Sequence, residues 1–162
     1  QISLKNSLSA YGVNIQKKIS ACNISCSIHI RRGDYVTSTA TNKVHGVLDM
    51  NYYKNAINLL EKRFSKNIHF FLFSDDIEWV FDNLKIKNST FIINELNRDP
   101  NEDIFLMSLC DHNIIANSSF SWWGAWLNTN PEKMVVSPQR WFLDKKLQRE
   151  SVDISCDGWV KI

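Results

Sequence analysis

The sequence lacks the glycine signatures of the common nucleotide cradles. Its five glycines form neither a Gly-x-Gly-x-x-Gly run nor a Gly-x-x-x-x-Gly-Lys-Ser/Thr run, so dinucleotide and P-loop readings lose the backbone turns they require. No apolar run approaches the roughly 20 residues that a membrane span needs. Gln1 to Ser20 mixes lysines with leucines and isoleucines, which is not the pattern of a secretory leader, and the chain reads as soluble. Charge of one sign is missing too. Lys and Arg number 19 against 17 Asp and Glu, a net charge of +2, too small to argue for a nucleic-acid surface or a polybasic membrane anchor. Cys22 and Cys26 have no second Cys/His pair to complete a zinc set. The four thiols, with Cys110 and Cys156, are therefore expected to be free and mostly buried, with neither disulfide nor metal.

What is present is an ordinary globular balance, 44% hydrophobic and 22% charged over 162 residues, enough to build the core of about one domain. Helical and strand-like segments alternate without repeats. The pattern predicts helices over residues 4–20, 51–64, 76–84 and 99–110, and another carrying Trp122 to Leu127 from a cap at Ser119 or Ser121. Tyr53, Ile57, Leu60 and Phe64 share one face of the second. Pro100 suits a first helical turn. Short apolar runs predict strands over 24–30, 68–73, 90–93, 113–116 and 134–136. Such alternation implies an α/β fold, a Rossmann-like parallel sheet with helices on both faces. Trp122, Trp123 and Trp126 are expected to fill the core.

In such sheets the ligand sits at the carboxyl ends of the strands. Three of those ends are unusually polar: Arg31-Arg32-Gly33-Asp34-Tyr35, Ser74-Asp75-Asp76, and Asn117-Ser118-Ser119-Phe120-Ser121. Arginine donates two parallel charge-assisted bonds to phosphate oxygens. Hydroxyls and unpaired N–H groups at a helix start also suit an anion. A bland reading competes at each place: a solvated arginine pair, carboxylates that cap a helix, and an acidic first helical turn for Asp103. His29, between Ile28 and Ile30, is equally compatible with a satisfied strand histidine. Arg32-Gly33-Asp34 spells an adhesion tripeptide, but it follows a buried-type strand directly, whereas an adhesion loop projects.

The stretch His29-Ile30-Arg31-Arg32-Gly33-Asp34-Tyr35 resembles the signature of the α-1,2-fucosyltransferases of glycosyltransferase family 11. His45-Gly46-Val47-Leu48 with Tyr52-Tyr53, Phe73-Ser74-Asp75-Asp76, Asn117 through Gly124, Pro138 and Trp141 follow in the family's order. The resemblance covers about residues 24–142. The first and last motifs also resemble the donor site of α-1,6- and protein O-fucosyltransferases. It implies the C-terminal, donor-binding half of a GT-B type enzyme. That enzyme would be inverting and metal-independent, with no cofactor besides its donor substrate, GDP-fucose. The acceptor would be a galactose-terminated glycan, attacked through its 2-hydroxyl, and no nucleic acid would be involved. The family's N-terminal Gly-Leu-Gly-Asn-Gln type stretch has no counterpart here, so residues 1–162 are read as one donor domain without its acceptor-side partner, inactive alone.

By matching positions, the resemblance makes Arg31 the grip on the β-phosphate and the main electrostatic catalyst, with Ser118 and Ser119 beside the same phosphate. Asp103 would read guanine, whose adjacent N–H donors suit a carboxylate, and His29 would be a second nucleoside contact. Arg32, Asp34, Asp75 and Asp76 would order the binding loop. His45 and Asp49 are the nearest candidates for a base. A nucleotide-sugar binding module without turnover is the rival reading. A bacterial cytoplasmic location is expected, membrane-associated or Golgi as alternatives, because Asn-x-Ser/Thr sequons at Asn23, Asn88 and Asn117 include strand and site positions, awkward for a glycan.

Overall fold

The computed structural model describes residues 7–64, 67–93 and 99–162. Six strands, all parallel to their neighbours, form one sheet: β1 Ser25–Ile30, β2 His69–Ser74, β3 Ser89–Phe91, β4 His112–Ile114, β5 Val135–Ser137 and β6 Val160–Lys161. Their spatial order is β3-β2-β1-β4-β5-β6. The chain builds outward from β1 to β3, then returns to lay β4 on the other side of β1. That reversal opens a crevice at the carboxyl ends of β1 and β4, the place where open α/β sheets bind ligands.

Every residue of β1 is buried, as a central strand covered on both faces requires. Cys26, Ile28 and Ile30 pack with Phe70 and Leu72 under α4 (Met50–Arg63) and α5 (Ile77–Asn83). Phe71 and Phe73 face the other way, against Ile15 and Ile19 of α1 (Ala10–Ser20) and Leu106 and Met107 of α6 (Pro100–Ser108). Along a strand successive side chains alternate faces, so one strand feeds two cores. A third cluster joins Ile115, Ala125, Val135 and Trp141 beside α7 (Ser119–Leu127).

The first helix begins at Ala10 with Ser9 as its cap, not at residue 4, and residues 4–6 lie outside the described ones. The Ser9 backbone N–H and hydroxyl both donate to Glu102, at 2.9 and 2.8 Å, which pins α1 to α6. Two short helices, α2 (Gly33–Thr37) and α3 (Thr39–His45), occupy a stretch with no apolar periodicity to announce them. α8 (Lys145–Glu150) and the two-residue β6 are likewise too short for a sequence pattern. The expected core packing of the tryptophans needs correction. Trp122 packs into the third cluster and donates its indole N–H to Ile154 O at 2.6 Å, but Trp123 and Trp126 are 43% and 49% exposed. α7 turns its small residues inward instead: Gly124 lies so close to Met107 that a Cβ there would meet the methionine's at 2.8 Å. All four cysteines are free, Cys26 and Cys110 buried, Cys22 and Cys156 partly so.

Candidate donor-binding edge

The three polar strand ends meet at the carboxyl edge. Register fixes the first two: Ile30 pairs with Ser74, so the loops after β1 and β2 start side by side. The Ser74 hydroxyl donates to Ile30 O at 2.7 Å and accepts Asp76 N–H at 3.0 Å. Asp76 then caps α5 by accepting Trp79 N–H. Asp75 Oδ1 accepts the backbone N–H of Arg32 at 2.8 Å. Glycine at 33 leaves room for this carboxylate, because a Cβ there would collide with Asp75 Oδ2 and push it aside.

Both arginines are held by this frame. Arg31 donates to Asp34 Oδ1 at 2.6 Å and to Asp75 Oδ2 at 2.9 Å, with its guanidinium 5.4 Å from the Tyr35 ring centre. Its side chain is 32% exposed, open to a ligand from one side. Arg32 turns away. Its Nε reaches Asp76 Oδ2 at 2.9 Å and its guanidinium lies 3.4 Å over Trp79. The adhesion tripeptide therefore does not project. Asp34, Asp75, Asp76 and Arg32 all belong to one ion-pair cluster whose accessible cation is Arg31. Asp75 and Asp76 spend their oxygens on arginines and backbone N–H groups, and among the described residues no group of three His, Cys, Asp or Glu side chains is placed to hold a metal ion.

Across the crevice, α7 starts at Ser119. Ser118 occupies its cap position but its hydroxyl makes no capping bond. The helix's first N–H groups thus keep the partial positive charge of an unfilled terminus. Ser118 is buried and Ser119 exposed. His29, the next-to-last residue of β1, lies with its ring 5.3 Å from Phe120 in the first turn of α7. Burial foremost, and then the Arg31 charge, lowers the His29 pKa to about 3, so the ring is neutral. Its Nδ1 is buried without a hydrogen-bond partner. Such orphans are rare in folded proteins.

Asp103 stands in the first turn of α6, behind the Asp99 cap and Pro100, and is buried. α6 and α7 each precede or follow β4 antiparallel to the sheet, so both helices begin at this edge, and Asp103 and the Ser118–Ser119 pair lie at neighbouring helix starts. The Asp49 carboxylate accepts Asn51 N–H as the cap of α4 and is exposed. His45 ends α3; its ring stacks on Tyr35 at 4.8 Å and touches Phe142 at 5.2 Å.

One residue was visible in the motif but not assigned a part: Asn117. It is 3% exposed. Its Nδ2 donates to the carbonyls of His45, Gly46 and Trp141 at 3.0, 3.2 and 3.1 Å. Its main-chain carbonyl accepts the Tyr35 hydroxyl at 3.0 Å. This side chain knots the loops after β1, β4 and β5 together. Its sequon carries no accessible amide for a glycan. Gly46, at φ 67°, adopts the left-handed conformation that glycine tolerates, and Leu143 fills the space its side chain would need.

Comparison with known proteins shows the family. The family model for glycosyl transferase family 11 matches residues 2–162. The O-antigen biosynthesis glycosyltransferase WbnK of Escherichia coli is 40% identical over 93% of this chain and 49% of its own length. An α-1,2-colitosyltransferase of Escherichia coli is 42% identical over 87% of this chain and 48% of its own. The mouse galactoside 2-α-L-fucosyltransferase Sec1 is 31% identical over 62% of this chain and 27% of its own. The chain thus spans about half the length of the bacterial relatives. No described helix is long and apolar enough to cross a membrane.

Proposed function

We infer that this chain, which belongs to glycosyl transferase family 11, supplies the nucleotide-sugar binding half of an inverting α-1,2-fucosyltransferase that uses GDP-fucose and a galactose-terminated glycan. The observation that carries the reading is Arg31, a clamped but accessible guanidinium at the sheet's switch point, on the same edge as a helix start without a side-chain cap. Such a crevice suits a diphosphate. The remaining length of the relatives would supply the acceptor side and the other half of a GT-B type cleft.

In the proposed reaction the galactose 2-hydroxyl oxygen attacks the fucose anomeric carbon. The bond from that carbon to the β-phosphate oxygen breaks, and GDP leaves. The hydroxyl proton passes to a base or to water. Positive charge develops on the sugar ring while negative charge grows on the β-phosphate. Arg31 and the first N–H groups of α7, with Ser118 and Ser119, would stabilise that growing charge more than the ground state, which is the condition for catalysis. His29, neutral and with Nδ1 unpartnered, can donate or accept one hydrogen bond to the nucleoside. Asp103 would accept the paired donors of guanine. Asp49, which caps α4 through one oxygen, and His45 are the candidates on this chain; the remaining length of the relatives is an alternative source of the base, and a reaction without one is another.

Among relatives the transferred sugar varies, since one is named for colitosyl and others for fucosyl transfer. Titration calorimetry tests the donor reading. Arg31→Ala should weaken GDP binding by about 2–4 kcal/mol, the scale for removing one partner of a close charge pair. Arg31→Lys should recover only part, because a point charge replaces a fork. EDTA should leave the parent's GDP affinity unchanged. Parental affinity in Arg31→Ala would end the assignment, and a large EDTA effect would favour a metal-held diphosphate.

A further inference from the structure

Beyond β5 the same edge carries a second concentration of positive charge. The segment after Ser137 and α8 enclose an open cleft of about 410 Å³, lined by Arg140, Leu143, Lys145, Gln148 and Arg149. Its walls are fixed by backbone bonds. Gln148 Oε1 accepts the N–H groups of Trp141 and Phe142 at 2.8 and 2.9 Å. Val44 O accepts the N–H groups of Leu143 and Asp144 at 2.8 and 3.2 Å. Arg140 donates through Nε to Phe142 O and through Nη2 to Leu143 O, at 3.0 and 3.1 Å. Arg149 Nε donates to Lys145 O at 3.1 Å.

None of these bonds neutralises charge. The three ion pairs among the described residues all belong to the Arg31–Arg32 cluster. Of the two carboxylates adjacent in sequence, Asp144 accepts the N–H groups of Lys146 and Leu147 as the cap of α8, and neither it nor Glu150 forms an ion pair with the cleft. Three cations therefore line one concavity with no carboxylate among the described residues within ion-pair distance. Mutual repulsion disfavours that arrangement, while a concave wall of one sign concentrates the field for an incoming anion. The guanidinium N–H groups that Arg140 and Arg149 do not spend on carbonyls, with the Lys145 ammonium, offer more donors than a single carboxylate can accept. They match a tetrahedral phosphoryl group with its several oxygens.

The cleft is separate from the Arg31 grip but joined to it. Successive contacts run from the Arg31 guanidinium to Tyr35 at 5.4 Å, from Tyr35 to His45 at 4.8 Å, and from His45 to Phe142 at 5.2 Å. Phe142 O then holds Arg140. The cleft and the Arg31 grip share no lining residue. We propose that the cleft of Arg140, Lys145 and Arg149 is a second phosphoryl-binding site, which takes a phosphate or diphosphate ester distinct from the nucleotide-sugar donor. Its existence does not depend on the donor reading; only its use in transfer does.

The probe is inorganic pyrophosphate, added to the 162-residue chain with saturating GDP, and separately to the Arg31→Ala chain. Nuclear magnetic resonance follows the Nε–H signals of Arg140 and Arg149. Both signals should move in both samples. Lys145→Gln/Arg149→Gln should weaken the response at least about tenfold, from charge-assisted bonds removed, while the amide spectrum stays folded because both side chains lie exposed on a surface helix. Arg140→Gln is not the decisive variant, since Arg140 also pins two carbonyls. Unmoved signals, or a double variant that titrates within twofold of the parent, overturn the proposal. A second arm sediments the chain with phosphatidylcholine vesicles, with and without phosphatidylglycerol. Charge-dependent sedimentation without a pyrophosphate response also overturns it, because the cations would then read a lipid surface and not a discrete phosphoryl group. If GDP fails to bind while the cleft signals still move, the donor reading falls and the cleft stands.

Discussion

Replacing Asn117 by aspartate changes one NH₂ group into an oxygen and should be among the most damaging isosteric changes in the chain. The orientation of the native amide is not arbitrary. Three carbonyl oxygens lie 3.0–3.2 Å from Nδ2, so the donor end must face them. Two N–H bonds are available to share among three acceptors. Their loss costs about 2 kcal/mol at roughly 1 kcal/mol each, and a buried carboxylate without donors adds about 1–3 kcal/mol more. The expected loss is about 3–5 kcal/mol at pH 7, a large share of the roughly 5–15 kcal/mol that holds a typical domain together. Urea unfolding measures it directly. The new carboxyl would face oxygen atoms only, so its folded pKa rises above the unfolded value near 3.9. Protonation supplies one O–H donor, and the deficit should shrink as pH falls through the raised pKa. A variant within about 1 kcal/mol of the parent at pH 7, or a deficit that grows on acidification, would refute the argument that Asn117 ties the loops through donation.

Asp103→Asn should abolish the preference for GDP over ADP and UDP while leaving a phosphate-dependent residue of binding, because an amide N–H opposes guanine's own donors; equal GDP and ADP affinities in the parent, read by calorimetry, would remove the role altogether. Asp34 and Asp75 should differ in sign. Asp34→Asn frees one end of the Arg31 fork and should leave GDP affinity equal or up to about fivefold tighter, since its carboxylate is half exposed and such pairs are worth about 0–1 kcal/mol. Asp75→Asn should weaken it, because Asp75 also holds Arg32 N–H and packs on Gly33; the reverse order in a GDP titration would show that Asp34 is the anchor. His29 contributes stability that is complete above its unfolded pKa near 6.5 and is lost as pH falls toward its folded value of about 3. His29→Gln should therefore flatten the loss of unfolding free energy between pH 7 and 4, only in part because burial also lowers His69 and His112; an unchanged slope would count against a buried neutral ring.

The central strands were legible because burial on both faces leaves a continuous apolar run, and the run Ile68 to Phe73 could be little else. Their polar ends were legible for the complementary reason: the sheet rule marks the carboxyl edge, and Arg31, Asp75 and Ser119 each follow a strand. The tryptophans of α7 misled because composition carries no direction. Gly124 and Ala125 take the inner face, where the close approach to Met107 leaves no room for indole, and Trp123 and Trp126 are left outside. α2 and α3 were invisible because they are held by neighbours and not by an apolar stripe: Asn42 donates to Tyr35 O at 2.6 Å and Ser38 accepts Thr41 N–H.

Asn117 shows where sequence reasoning stops for a physical reason. A motif says that an amide stands beside two serines, and anion chemistry draws the eye to the serines. Only coordinates bring His45, Gly46 and Trp141, which are 72, 71 and 24 residues away, within reach of one NH₂ group. The same holds for the ion-pair cluster. Five charged residues at 31, 32, 34 and 75–76 read as one patch of mixed sign, yet the fold sorts them by partner. Arg32 is spent on Asp76 and Trp79, with its side chain 14% exposed, whereas Arg31 keeps 32% of its surface open. That difference, set by which way two adjacent residues leave the end of β1, decides which arginine can meet a phosphate.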